Sequence, residues 1–167
     1  MFESIIELRD DTFPSGVLTL DNGEPWEAFF KWEDRLLSNI RNSDVHSISM
    51  LPHQYLEFLH LVSDGAILYY DMKFGQWGYK VYSLKECLAK QSVWRENLLM
   101  NTPEDYIAFC ELYGDNSILV FENSNADAKI VEANAYLPSS TWTVVANSLE
   151  EWIVKLLENK GEKYWEI

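Results

Sequence analysis

The stretch LPHQYLEFLHLVSDG, Leu51 to Gly65, decides the fold class. Pro52 suits the first turn of a helix, where its missing N–H is not needed. Leu51, Tyr55, Phe58, Leu59 and Val62 recur at helical spacing and mark one apolar stripe. Gly65 supplies a residue that takes the left-handed conformation ending a helix. AILYY follows at once, from Ala66 to Tyr70, and is β-type in composition. A capped helix therefore drops straight into a strand. Nothing in the segment has the pattern of a catalytic site.

Working outward, Phe2, Ile5 and Ile6 predict a short helix, and Gly16 to Leu20 a short strand. Asp21-Asn22-Gly23 is a strong turn signal. Pro25 is then expected to open a helix through about residue 41. Trp26, Phe29, Phe30, Leu37 and Ile40 would form its buried side, widened by Trp32 and Leu36. Downstream, Asp71 to Gln76 suggests a hairpin loop and Trp77 to Tyr82 a returning strand. Ser83 and Glu86 make a capping box that starts a helix to about Leu98. Thr102-Pro103-Glu104-Asp105 resembles a helix start. The aromatic-rich run Tyr106 to Tyr113, the turn Gly114-Asp115-Asn116 and the strand Ser117 to Phe121 nevertheless read as a hairpin. Lys129 to Tyr136 and Thr141 to Ala146 supply two more strands. A second capping box, Ser148 with Glu151, opens the last helix. Its stripe is Leu149, Trp152, Ile153, Leu156 and Leu157, and Gly161 stops it. Helices early, strands in the middle and a helix last predict a single-domain α+β fold with a mainly antiparallel sheet.

The 167-residue chain is long enough to bury a core without staples, and 47% of it is apolar. Its net charge is −14. Residues 1–44 hold ten acids and four bases, residues 45–100 five of each, and residues 101–167 twelve and four. The acidity lies in the two ends. Such a chain should repel nucleic acid and anionic lipid and attract a basic partner. No window reaches the ~18 apolar residues of a membrane span. Cys87 and Cys110 sit among apolar neighbours. With no signal-peptide pattern at the start, they suggest reduced core thiols in a cytoplasmic protein.

Candidate chemistry is sparse. His53, Glu57 and His60 occupy positions i, i+4 and i+7 of the Leu51 helix, opposite its apolar stripe. His53 and His60 are two turns apart, about 10.5 Å along the axis, too far to share an ion. A carboxylate-bridged di-iron site would need a second Glu-x-x-His motif, and His46 is the only other histidine. The cysteines have the apolar setting of inert thiols. There is no glycine-rich phosphate loop, no G-x-S-x-G and no CxxC. No catalytic residue, metal ligand or cofactor is expected. Most of the seven tryptophans, Trp26, Trp152 and Trp165 among them, fit apolar stripes better than a ligand groove.

Four features, in this order, resemble the SUKH superfamily. They are a Trp-containing helix expected over Trp26 to Phe30, the LPxxYxxFL helix ending at Gly65 before a strand, the unit FCELYGDNSILVF (Phe109 to Phe121), and the S-L-E-E-W-I helix with its tail GEKYWE (Ser148 to Glu166). The resemblance covers residues 24–167 and leaves 1–23 as an N-terminal extension. Ser63-Asp64-Gly65 stands where the family pattern has Asn-Gly-Gly. The resemblance implies a curved sheet flanked by helices and a non-enzymatic role. In that role the protein binds and neutralises a toxin domain, for which a basic nuclease fits the charge. The alternative it implies is a scaffold resembling regulators of cell-wall synthesis. It carries no catalytic set. Exposure arguments single out Trp77 and Tyr79 on the hairpin, and Asp115, Glu122 and Asp127 on connecting loops, as partner-binding residues.

Overall fold

The stripe is buried as its spacing predicts: Leu51, Tyr55, Phe58, Leu59 and Val62 are each at most 6% exposed. The computed structural model describes residues 2–36, 48–97, 106–122, 128–134 and 136–166. Four helices occur among them: α1 (Glu3–Thr12), α2 (His53–Leu61), α3 (Leu84–Asn97) and α4 (Leu149–Glu158). Eight strands form one sheet: β1 (Ser15–Asp21), β2 (Pro25–Trp32), β3 (Ala66–Asp71), β4 (Tyr79–Val81), β5 (Tyr106–Leu112), β6 (Ser117–Glu122), β7 (Lys129–Asn134) and β8 (Thr143–Ala146). The strands lie side by side in chain order, every neighbour pair is antiparallel, and β1 and β8 are the open edges. The fold class is thus α+β. No described helix is long and apolar enough to cross a membrane.

The helix expected from Pro25 is instead strand β2. Trp26, Ala28, Phe30 and Trp32 turn inward while Pro25, Glu27, Phe29 and Lys31 turn outward, a period of two. Over so short an apolar run the two periods overlap, and the turn decides between them. The Asp21 carboxylate accepts from the Gly23 N–H at 2.9 Å, and the hairpin sets Leu20 opposite Trp26. The Leu37 and Ile40 end of that predicted helix lies outside the described residues. Smaller differences occur elsewhere. Pro52 caps α2 rather than entering its first turn. The strand expected at Trp77–Tyr82 is ordered as β only over Tyr79–Val81. The last strand starts at Thr143, after a single 3-10 turn at Ser139–Thr141.

One core joins sheet and helices. Trp152 of α4 is fully buried, with ring centroids 5.9 Å from Tyr79 and 5.7 Å from Phe109. Phe109 stacks on Phe121 at 4.1 Å. Tyr55 of α2 packs on both rings, and its hydroxyl donates to the Tyr82 carbonyl at 2.6 Å. Phe2 and Ile5 of the N-terminal helix are buried in this same core, Phe2 edge-on to Phe58. β5 carries a bulge between Ala108 and Cys110, where β4 has ended. There the Gln91 side chain donates to the Ala108 carbonyl at 2.9 Å and accepts from its N–H at 3.2 Å. An amide side chain from α3 thus satisfies backbone that the short β4 leaves uncovered.

Of the two predicted capping boxes, one forms in full and the other in half. Around Ser83 the exchange is reciprocal. At α4 the Ser148 hydroxyl accepts from the Glu151 N–H at 3.0 Å, but the Glu151 carboxylate reaches one residue further back, to Asn147. Lys155 donates to the same carboxylate at 2.6 Å. The lysine, then the Asn147 N–H, hold the Glu151 carboxyl down from 4.5 to about 2. A depressed carboxylate stabilises the fold above its unfolded value and loses that contribution as pH falls through its folded one. Glu151→Gln should therefore flatten the loss of stability between about pH 4.5 and 2 in acid-unfolding curves. A curve parallel to wild type across that window would contradict this.

Candidate functional site

Because the strands alternate direction, the β1–β2, β3–β4 and β5–β6 turns share one end of the sheet. The segment that follows α4 crosses the same end. Between the first two of these turns and that segment lies an open cleft of about 1220 Å³. The first hairpin contributes Glu24, Trp26 and Glu27 to it. The second contributes Asp71, Met72, Lys73, Phe74 and Trp77. The C-terminal segment adds Glu162, Lys163 and Glu166.

Local chemistry fixes each wall. Asp71 accepts from the Lys73 N–H at 2.8 Å, the same side-chain turn that Asp21 makes in the first hairpin. Gly114, at φ +75°, turns the third hairpin against the second, where a Cβ would run into the Gln76 carbonyl. The tail is pinned from several sides. The Trp77 indole and the Tyr79 hydroxyl both donate to the Gly161 carbonyl, each at 3.0 Å. Asn22 donates to Glu162 at 2.8 Å, and the Lys160 ammonium donates to the Asp21 carbonyl.

Lys163 is the hub of this end. Its side chain is only 9% exposed. Its ammonium meets Asp115 at 2.5 Å, Glu166 at 2.9 Å and Glu132 at 3.2 Å. Burial opposes the charge, but the three carboxylates outweigh it and raise the lysine above its ordinary value. Burial likewise pushes the Asp115 carboxyl up and is outweighed by Lys163, leaving it below the usual range. Trp165 adds an indole N–H to Glu132 at 2.5 Å. Asp115, Glu132 and Glu166 are the one group among the described residues with ligand oxygens close enough to share a metal ion. The Lys163 ammonium already stands among those oxygens, so the chain supplies its own cation there.

The five residues singled out from the sequence separate in space. Trp77 lines the cleft, half-buried. Asp115 sits behind the cleft and braces Lys163. Tyr79, expected to be exposed, is 1% exposed, because it is an inward position of β4 and packs on Trp152. Glu122 lies at the opposite end of the sheet and accepts from the Tyr106 hydroxyl at 3.1 Å. Asp127 lies outside the described residues. Trp26, Glu24, Glu27, Phe74 and Glu162 were not singled out. The helical reading of 25–41 hid Trp26 and Glu27, and the Asp-Asn-Gly turn was the signal that could have exposed them.

Other candidates are structural. Burial pushes the Cys87 thiol up to about 12 and Cys110 well above its ordinary value, so neither offers a thiolate at neutral pH. His53 and His60 are exposed, as expected, and a ring nitrogen of His60 lies 2.9 Å from the Leu36 carbonyl. His46 lies outside the described residues. No family model matches the chain, and no curated protein matches it.

Proposed function

We propose that this chain is a non-enzymatic, immunity-type protein of the SUKH kind that binds and neutralises a basic toxin domain, such as a nuclease. The observation that carries the reading is the cleft. It combines exposed and half-buried aromatics with five carboxylates and two lysines, and one of those lysines is already enclosed by acids. That is the chemistry of a surface for a cationic protein. The net charge of −14 supports it, since an anionic surface speeds encounter with a basic partner by roughly 10–10³ at low salt. The motif order from Leu51 to Glu166 supports the family assignment, whereas Trp26 to Phe30 is a strand where the resemblance implies a helix. Silencing a lethal enzyme requires nanomolar binding, about −12 kcal/mol. Charge alone does not reach that, and buried aromatic anchors are the usual supplement.

Co-expression with a toxin encoded beside this gene tests the proposal. The expected result is restored growth with the toxin's catalytic residues intact. Absence of protection at matched, soluble expression would overturn it.

A further inference from the structure

We infer that the cleft is an arginine-binding dock, and that its occupant is an arginine-bearing segment of a basic protein partner. The inference deepens the proposed function and rests on its reading of the partner as a basic protein.

Charge complementarity is the first argument. Glu24, Glu27, Asp71, Glu162 and Glu166 line the cleft together with Lys73 and Lys163, an excess of three negative charges. Lys163 is balanced internally by Asp115, Glu132 and Glu166. Lys73 lies over the Phe74 ring, 4.9 Å from its centroid. A cation of the chain thus already stands over one face of that ring, and Phe74 is 66% exposed. Glu24 and Glu27 are exposed on the rim.

The second argument is shape and chemistry. Trp26, Phe74 and Trp77 offer flat apolar surfaces beside carboxylates. A guanidinium is planar, weakly hydrated and able to stack on an aromatic face while donating two parallel hydrogen bonds to one carboxylate. An ammonium is a strongly hydrated point charge and gains less from such a site. The cleft therefore favours arginine over lysine at equal charge. A nucleic acid or an acidic peptide would meet its own charge.

The test uses capped hexa-arginine and hexa-lysine peptides with the full chain, at about 0.1 M salt. Binding is read by titration calorimetry and by the Trp26 and Trp77 indole N–H signals in nitrogen-15 spectra. Hexa-arginine should bind at least threefold more tightly than hexa-lysine and should move both indole signals. Glu24→Gln/Glu27→Gln should weaken it about tenfold. Glu3→Gln/Glu7→Gln, an equal change of charge on α1, should alter it less than twofold. Equal weakening by the two pairs, unmoved indole signals or equal affinity for hexa-lysine would each overturn the dock. So would indole shifts produced by raising protein concentration alone, which would assign the cleft to a second copy of the chain. The two readings fail separately. Growth protection that survives Glu24→Lys/Glu27→Lys would remove the dock and leave the immunity reading. Arginine-selective binding without protection would do the reverse.

Discussion

Trp152→Ala is expected to destabilise the protein by about 3–5 kcal/mol, enough to unfold a marginal domain. The residue is fully buried and its indole holds α4 against Tyr79 and Phe109. Truncation removes that contact from three elements at once and leaves a cavity among rings that cannot collapse far. The loss should extend to the cleft, because α4 carries the C-terminal segment that forms one wall. Trp152→Phe should cost less than half as much. Among the described residues the Trp152 N–H has no hydrogen-bond partner, so phenylalanine removes an orphaned donor along with the lost area. Urea unfolding of both variants checks this. Equal costs for Ala and Phe would show that ring packing is not what holds the helix.

Lys163→Met should cost about 2–3 kcal/mol at neutral pH, below the full cost of stranding buried charges because water reaches two of the carboxylates. Asp115 and Glu166 are 33% and 56% exposed, whereas Glu132 is 13% exposed. The cost should depend on pH in a definite direction. Asp115 is held below its ordinary 3.8 by the lysine, so its contribution is present above that value and lost as pH falls through the depressed one. Wild type and variant should therefore draw together in urea titrations as pH falls below 3.8 and diverge at pH 7. A constant gap would mean that the lysine acts through its stem alone.

The helices and their caps were legible because their signals are local. The Leu51 stripe, the Ser83 and Ser148 caps and the Trp152 stripe all specify neighbours within four residues. The β5–β6 hairpin was legible for the same reason, since Gly114-Asp115-Asn116 names its own turn. The segment from Pro25 was not, because Trp26 and Phe30 satisfy both periods and only pairing with β1 and β3 selects the strand. The cleft was less legible still. Its walls come from residues 22–27, 71–77 and 162–166, and no local pattern reports that three distant turns will meet. Trp77 could be chosen from its hairpin, but its partner Gly161 lies 84 positions away. Tyr79 was misjudged because the hairpin suggested exposure, whereas it is an inward position of β4 covered by Trp152, a residue 73 positions away.

Capture of a basic toxin domain by the acidic, aromatic cleft is what the proposed function requires. Its most direct test is titration calorimetry of the purified chain against the catalytically inactivated toxin encoded beside its gene, at about 0.05 and 0.3 M salt. Nanomolar affinity is expected, weakening at the higher salt and falling at least a hundredfold in Glu24→Lys/Glu27→Lys with the fold intact. No complex at micromolar concentrations, or a complex whose affinity ignores both salt and the double reversal, would contradict it.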